Sequence, residues 1–403
     1  MRIAVYVEGN PRQGGGFTHQ LSVLKSIRNH AGAGHEFLIF CMDSATAEAA
    51  KSENLESVVI RQGPWLKLRR LISRQSWIYR ISSKPALSKW VRSPLEPLFN
   101  HHNIDLVFFP CPSVAALELT TQNYIFTVWD LCHLEQPEFP EVRAGRDFEQ
   151  REELYSRALK KAVSVITDSD YGKELVTRKY QIEPDRVMAL PFIPSPFTLD
   201  FIPDPAQAEE VRRKYELEAP YIFYPAQFWP HKNHVYLLKA LETLSRLHGL
   251  EVKAVFSGSD KGLQKFIMEK AAALGIEHQV NCIGFADDED MPYLYQGALA
   301  LTMPTWFGPT NIPPLDAFAL GCPVCYSDLP AFGEQLGDAA FFMDLSQPES
   351  LADILRKLLE QPGIADEKIK RGKAHTEQWG ELEYAANLTM LFNEFEQKLE
   401  CWK

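Results

Sequence analysis

The sequence predicts an α/β protein built from two doubly wound, Rossmann-like domains. Three observations lead there. The chain has 403 residues, more than one ordinary hydrophobic core organises. Short, continuous apolar runs alternate with helical stretches, the pattern of parallel strands covered by helices on both faces. The segment 192–205, FIPSPFTLDFIPDP, carries four prolines, and the alternation restarts beyond it. Proline fixes φ and ends elements, so the boundary belongs there.

Taken in order, the first half offers strands at 3–8, 36–42, 58–60, 104–110, 124–130, 164–169 and 187–192. Helical stretches at 17–29, 45–52, 149–162 and 171–180 separate several of them, and the basic stretch 61–95 reads as two helices broken near Pro85. The second half offers strands at 221–227, 253–258, 280–284, 298–304, 323–327 and 339–344, and a final amphipathic helix at 382–399. The expected domains are 1–195 and 206–380, followed by a C-terminal helical segment, 381–403.

Composition narrows the class. A hydrophobic fraction of 45% and a charged fraction of 24% are those of a soluble globular protein. The opening MRIAVYVEGN reads as a strand, not a signal peptide, and no window approaches the ~20 apolar residues of a membrane span. A cytoplasmic chain is expected. Seven cysteines without regular spacing give no disulfide framework. Cys322 and Cys325 form a single C-x-x-C inside a buried-looking strand, which favours two core residues over a zinc or redox pair.

The net charge of −11 is uneven. Residues 1–200 hold 24 Lys/Arg against 23 Asp/Glu, whereas residues 201–403 hold 18 against 30. Residues 61–95 contain nine Lys/Arg and no acid, with Trp65, Trp77, Tyr79 and Trp90 interleaved. An acidic protein with one basic, Trp-bearing segment points to a local anionic partner and away from nucleic acid. Trp65, Lys67, Arg69, Arg70, Arg74 and Trp77 are the candidates for an acceptor or membrane contact. The other possibility is a solvated helical face whose tryptophans belong to the core.

The most informative stretch is TWFGPTNIPPLDAFALGCPV, residues 305–324. A Gly/Pro turn feeds a helix start after a strand, a geometry that aims backbone N–H groups at an anion. Thr310, Asn311 and Ile312 stand at that start. Asp316, one turn in, could hold a hydroxyl-bearing group attached to the anion. Phosphate plus polyol means a nucleotide or nucleotide-sugar.

Other turns join it. In YPAQFWPHKNHVYLLKAL, residues 224–241, Lys232 opens a helix and reads either as a surface lysine or as a phosphate ligand. Gly258, after a strand, reads as a tight turn or as a close approach to a nucleotide. Gly14-Gly15-Gly16 lets backbone approach a ligand, but it is not the G-x-G-x-x-G dinucleotide pattern. Asp130 ends a strand, where open α/β sheets face their crevice. It and His133 read as acceptor-site groups or as a capping Asp and a surface His.

Residues 305–324 resemble the donor site of glycosyltransferase family 4 (group 1), retaining enzymes with the two-domain GT-B fold. The family pattern is a Glu, then Gly-Phe-Gly-Leu-Pro, a second Glu eight places after the first, then Ala-x-Ala-x-Gly-x-Pro-Val. Asn311-Ile312-Pro313 stands for Gly-Leu-Pro, Asp316 for the second Glu, and Gly321-Cys322-Pro323-Val324 matches outright. The first Glu, which in the family reaches the transferred sugar, is Gly308 here, leaving that contact to Thr310 and Asn311. Pro230, Lys232 and Asn233 match Gly-Arg-x-x-Pro-x-Lys-Asn, with Gln227 in place of the Arg. Residues 281–298 resemble the segment that lines the nucleobase, through Phe285. Trp129-Asp130-Leu131 stands where His-Asp-Leu is usual, with His133 displaced.

The resemblance implies two domains facing a central cleft, the first acceptor-binding and the second donor-binding, with the C-terminal helix crossing back to the first. It implies a nucleotide-sugar donor, a glycan or lipid-linked glycan acceptor, retention of configuration and a metal-independent reaction without a cofactor. Asp130, His133, Lys232 and Asp316 become the catalytic candidates. Gly15, Gly16, Gln227, Lys232, Gly258, Phe285, Thr310, Asn311, Ile312 and Asp316 become donor contacts. It also implies a role in surface-polysaccharide assembly, with peripheral contact at the inner membrane face. Two rivals stand beside it: a nucleotide-sugar epimerase, and a nucleotide-sugar-binding subunit without catalysis, which Gly308 and Gln227 favour.

Overall fold

The computed structural model describes residues 1–9, 14–30, 34–52, 54–60, 63–74, 93–308 and 310–403. They form two compact units. The first comprises Met1–His133, Gly145–Pro191 and Glu381–Lys403; the second comprises Leu134–Ala144 and Phe192–Gly380.

The first unit is built on a parallel sheet of β1 (Arg2–Val7), β2 (Glu36–Cys41), β3 (Ser57–Val59), β4 (Leu106–Phe109), β5 (Asn123–Val128), β6 (Ser164–Thr167) and β7 (Val187–Ala189). The order is β3-β2-β1-β4-β5-β6-β7. Ile3, Ala4, Val5, Tyr6 and Val7 are all fully buried. That requires cover on both faces and explains why these strands read as continuous apolar runs. The direction of winding reverses between β1 and β4.

The second unit repeats the scheme with β8 (Tyr221–Pro225), β9 (Lys253–Ser257), β10 (Val280–Gly284), β11 (Ala300–Met303), β12 (Val324–Ser327) and β13 (Phe341–Met343). Its order is β10-β9-β8-β11-β12-β13, again parallel, and the reversal falls between β8 and β11. In open sheets of this kind, ligands bind outside the carboxyl ends of the strands at that reversal. The strands fall where the apolar runs put them, mostly shorter at their ends.

The C-terminal helix Glu381–Leu399 packs in the first unit, against the helix Gly15–His30. Tyr384, Leu388 and Phe392 are buried, each worth roughly 2 kcal/mol of apolar burial. The terminal ammonium of Met1 donates to Glu396 Oε1 at 2.7 Å, and Lys25 Nζ lies 3.7 Å from Glu381 Oε1.

Two features differ from the sequence reading. Residues 134–144, counted with the first domain there, belong to the second unit. The basic stretch contributes the helix Pro64–Ser73, while Trp77, Pro85 and Trp90 lie outside the described residues. No helix among the described residues is long and apolar enough to cross a membrane.

Candidate functional site

At the reversal point of the second sheet, two turns face the same place. One follows β8. Pro230 opens a short 3-10 turn, Pro230–Lys232, and Asn233 takes a left-handed conformation, φ 53°, before the helix His234–His248. Asparagine tolerates that region better than most side chains. Tyr224 Oη donates to the carbonyl of Lys232 at 2.8 Å and fixes the turn to its strand. The other turn follows β11 and ends at Asn311, ahead of the helix Ile312–Leu320. Lys232 Nζ donates to Asn311 Oδ1 at 3.3 Å, so the cation of one turn meets the amide of the other. Asn311 is itself held: its Nδ2 donates to Tyr326 Oη at 2.6 Å and to the Gly308 carbonyl at 3.0 Å. Its backbone N–H donates to Gln335 Oε1 at 2.9 Å.

The helix start offers an anion less than the sequence reading expected. Pro313 and Pro314 follow Ile312 and carry no N–H, and the Asn311 N–H is committed to Gln335. Ile312 is buried, as is Thr310.

Asp316 does not face a ribose here. It is buried, and both oxygens are used within the unit. Oδ1 accepts from the Ser195 N–H at 2.7 Å and from Thr198 Oγ1 at 2.9 Å, and Oδ2 accepts from Ser195 Oγ at 2.8 Å. Burial pushes its pKa up to about 7, against the three hydrogen bonds that favour the anion. The carboxyl thus fastens the proline-rich connection at 195–198 to the helix.

The neighbouring turns divide the same way. Gln227 Oε1 accepts from Trp229 Nε1 at 2.9 Å, so its amide props the turn and supplies no cation. Gly258 has φ 155°, and a Cβ there would lie 2.5 Å from the Ala226 carbonyl oxygen. Its need for glycine comes from the close approach of the ends of β8 and β9. Phe285, just beyond β10, is 47% exposed and free to stack.

In the first unit, Asp130 lies past the end of β5. Its Oδ1 accepts from Arg151 Nη1 at 2.7 Å and from the Cys132 N–H at 3.0 Å. Burial works to raise its pKa, but Arg151 and the Cys132 N–H win and bring it to about 2. An anion that acidic orients a group better than it removes a proton. His133 is not the replacement for a site histidine. It is fully buried between Phe148 and Tyr155, with Nε2 3.0 Å from Glu152 Oε1, and Tyr180 Oη donates to the same oxygen. A carboxylate only accepts, which puts the proton on Nε2. Gly15 and Gly16 begin the helix Gly15–His30. Gly16 is needed for packing, since a Cβ would lie 2.7 Å from Trp129 Cη2; Gly15 has open space around it.

The basic helix is also partly turned inward. Arg70 Nε donates to Glu118 Oε1 at 2.9 Å, and Arg74 Nη2 donates to the same oxygen at 2.7 Å. Arg70 Nη2 donates to Tyr6 Oη at 2.9 Å, and Ser93 Oγ donates to Glu118 Oε2 at 2.7 Å. Glu118 has no exposed side-chain surface. Arg70 and Arg74 are therefore structural cations, not free ones for a membrane or acceptor. Lys67 is exposed, Arg69 half-buried, and Trp65, Leu68 and Leu71 stand out to solvent. Trp77 lies outside the described residues.

Residues 207–375 match the family model for glycosyl transferases group 1. Residues 207–375 are a group 1 glycosyltransferase domain. The stretch carries both turns of the transferase domain's reversal point. The chain is 26% identical over 243 residues to O-antigen chain mannosyltransferase B of Escherichia coli, covering 60% of this chain and 63% of that protein. It is 23% identical over 209 residues to O-antigen chain mannosyltransferase RfbU of Salmonella typhimurium, covering 52% and 54%. The matches thus span less than two thirds of these relatives. Across 98% of this chain and 100% of the other, the structure is similar to Anabaena HepE in complex with UDP and glucose, with a TM-score of 0.73 and 16% identity. The fold is that of the GT-B glycosyltransferases.

Sequence reasoning missed two groups beside the transferase turns. Glu141 Oε1 accepts from His231 Nδ1 at 2.6 Å and from the His231 N–H at 2.9 Å. The only signal for them is the acid-rich EQPEFPE at 135–141, and nothing in its spacing ties it to the second unit.

Proposed function

We propose that the chain is a retaining glycosyltransferase that moves a hexose-type sugar from a nucleotide-sugar to a glycan acceptor. The second unit is the donor-binding one and the first the acceptor-binding one. The observation that carries this is the meeting of Lys232 and Asn311 at the β8/β11 reversal point. Lys232 places a cation where a leaving diphosphate gathers charge, the position at which electrostatic stabilisation lowers a barrier most. Phe285, exposed at the adjacent strand end, is the stacking surface for the base. Without a positive charge at Gln227, Lys232 carries more of the diphosphate than in a site with two cations.

Asp130, held as an anion by Arg151, is the group in the first unit suited to orient an acceptor hydroxyl. The mannosyltransferase relatives favour a role in surface-polysaccharide assembly, on a glycan or lipid-linked glycan. Any peripheral contact with an anionic membrane face falls to Trp65, Lys67, Leu68 and Leu71.

The test is incubation of the purified chain with UDP-, GDP- and dTDP-sugars, followed by mass spectrometry and NMR of the products. Transfer or slow donor hydrolysis, with the donor's anomeric configuration kept, is the expected result. Epimerisation without release of nucleotide, inversion, or binding without turnover would each replace this reading with another.

A further inference from the structure

Two turns of the second unit meet at Trp229. The turn after β8 carries it. Its N–H donates to the Gln227 carbonyl at 2.7 Å, and its own carbonyl accepts from the Lys232 N–H at 3.1 Å. Its ring is held as well, because Nε1 donates to Gln227 Oε1 at 2.9 Å. The turn after β9 lies against this one, with the Phe228 N–H donating to the Ser259 carbonyl at 3.3 Å. Asp260 Oδ1 accepts from the N–H groups of Gly262 at 2.7 Å and Gln264 at 3.1 Å, which fixes that turn ahead of the helix Gln264–Ala273. Lys261 lays its ammonium over the Trp229 ring, 5.3 Å from the centroid. The ring quadrupole attracts the cation and narrows where a long, flexible side chain points. One residue thus relates two cations: Trp229 meets Lys232 through its backbone and Lys261 through its ring.

The charge at this edge of the sheet is sparse. The stretches 226–233, 258–263, 285–290 and 304–311, which follow β8, β9, β10 and β11, contain two lysines, Lys232 and Lys261, and no arginine. The same stretches carry Asp260, Asp287, Asp288, Glu289 and Asp290. No general positive field therefore draws an anion here; the two lysines must do it by contact. Lys261 is exposed and makes no ion pair among the described residues, so a ligand reaches it at little desolvation cost. A diphosphate is a multiply charged anion, and a single ammonium leaves part of its charge unanswered.

We propose that Lys261, presented by the Trp229 ring, is a second contact for the donor's diphosphate and takes up part of the charge that Gln227 leaves to Lys232. This rests on the reading of the strand-end turns as a nucleotide-sugar site. Gln227 then acts through Trp229: it brings no charge of its own but holds the ring on which the charge sits.

The test begins with UDP, GDP and dTDP; the one bound most tightly is carried forward beside its bare nucleoside. Ligand-observed NMR on the full chain, which reads weak binding, compares the two. Lys261→Ala should weaken the diphosphate about fivefold and the nucleoside by less than about twofold, and the loss should shrink at high salt. Lys261→Arg keeps the charge and should restore most of the binding. Lys265→Ala removes an exposed cation from the following helix and should leave both ligands within about twofold. Trp229→Leu should weaken the diphosphate about threefold alone and add nothing beside Lys261→Ala. Unchanged diphosphate binding in Lys261→Ala, or equal weakening of nucleoside and diphosphate, overturns the assignment. An equal loss in Lys265→Ala also overturns it, because that would be a diffuse field and not a contact. Additive losses in the double variant overturn the role given to Trp229. A wild-type chain that binds none of the three nucleotides would instead remove the site reading, and this assignment with it.

Discussion

Lys232 Nζ and Asn311 Oδ1, 79 residues apart in sequence, are joined at 3.3 Å across the reversal point of the second sheet. Asn311 is clamped by Tyr326, Gln335 and the Gly308 carbonyl, so it sets where the ammonium points. Asn311→Ala should therefore raise the donor KM while leaving the fold intact, and Asn311→Asp should tighten the ion pair on Lys232 and also weaken donor binding. Steady-state kinetics with a fixed acceptor checks both. Normal KM in both variants would mean that the pair plays no part in donor capture.

Asp316 gives a pH signature. Its folded pKa of about 7 lies above the ordinary carboxyl value, so between the two the folded state holds a proton that the unfolded state has lost. Its contribution to stability is full at acidic pH and falls as pH rises from about 4 to about 7, by up to about 1.4 kcal/mol per pH unit. Asp316→Asn keeps acceptors for Ser195 and Thr198 and should flatten this slope, while Asp316→Ala should destabilise at every pH. Urea melts of wild type and variants from pH 4.5 to 7.5 decide it; parallel curves for wild type and Asp316→Asn would contradict the buried, proton-holding state.

Glu118 neutralises Arg70 and Arg74. Glu118→Gln leaves two guanidinium groups without their counter-ion and should cost about 3–5 kcal/mol. Arg70→Ala should lower the melting temperature, whereas Lys67→Ala should leave it unchanged. If Arg70→Ala kept full stability and abolished salt-dependent binding to anionic vesicles, the inward assignment of this arginine would be wrong.

Glycine substitutions separate packing from ligand approach. Gly258→Ala drives a methyl into the Ala226 carbonyl at a φ that disfavours any side chain, and should destabilise by about 3 kcal/mol or more. Gly15→Ala meets open space and should be neutral or slightly stabilising. Thermal melts of the two variants test the contrast directly.

Much of this was legible in the residues, and the exceptions share a cause. The central strands were readable because β-strands buried on both faces need unbroken apolar runs, as 3–7 and 221–224 show. The turns that carry Lys232 and Asn311 were readable as turns at strand ends, but the hydrogen bond that joins the two side chains was not. Asp316 and Arg70 were misread because each is answered by a distant partner, Ser195 in one case and Glu118 in the other. Local sequence carries the residue type but not the group that satisfies it. His133 looked like a site histidine from its place after Asp130, yet its Glu152 lies on the next long helix. The strap at 134–144 was invisible for the same reason, since its membership in the second unit rests on His231 and Trp306.

The central claim is that the Lys232 turn binds the diphosphate of a nucleotide-sugar. Titration calorimetry of UDP, GDP, dTDP and their sugars into wild type and Lys232→Ala tests it most directly. The wild type should bind one nucleotide series, and Lys232→Ala should bind that series at least about tenfold more weakly with an unchanged melting temperature, since a charge-assisted contact is worth about 1.5–3 kcal/mol. A wild type that binds none of them, or a Lys232→Ala chain that binds as tightly as the wild type, would contradict the account.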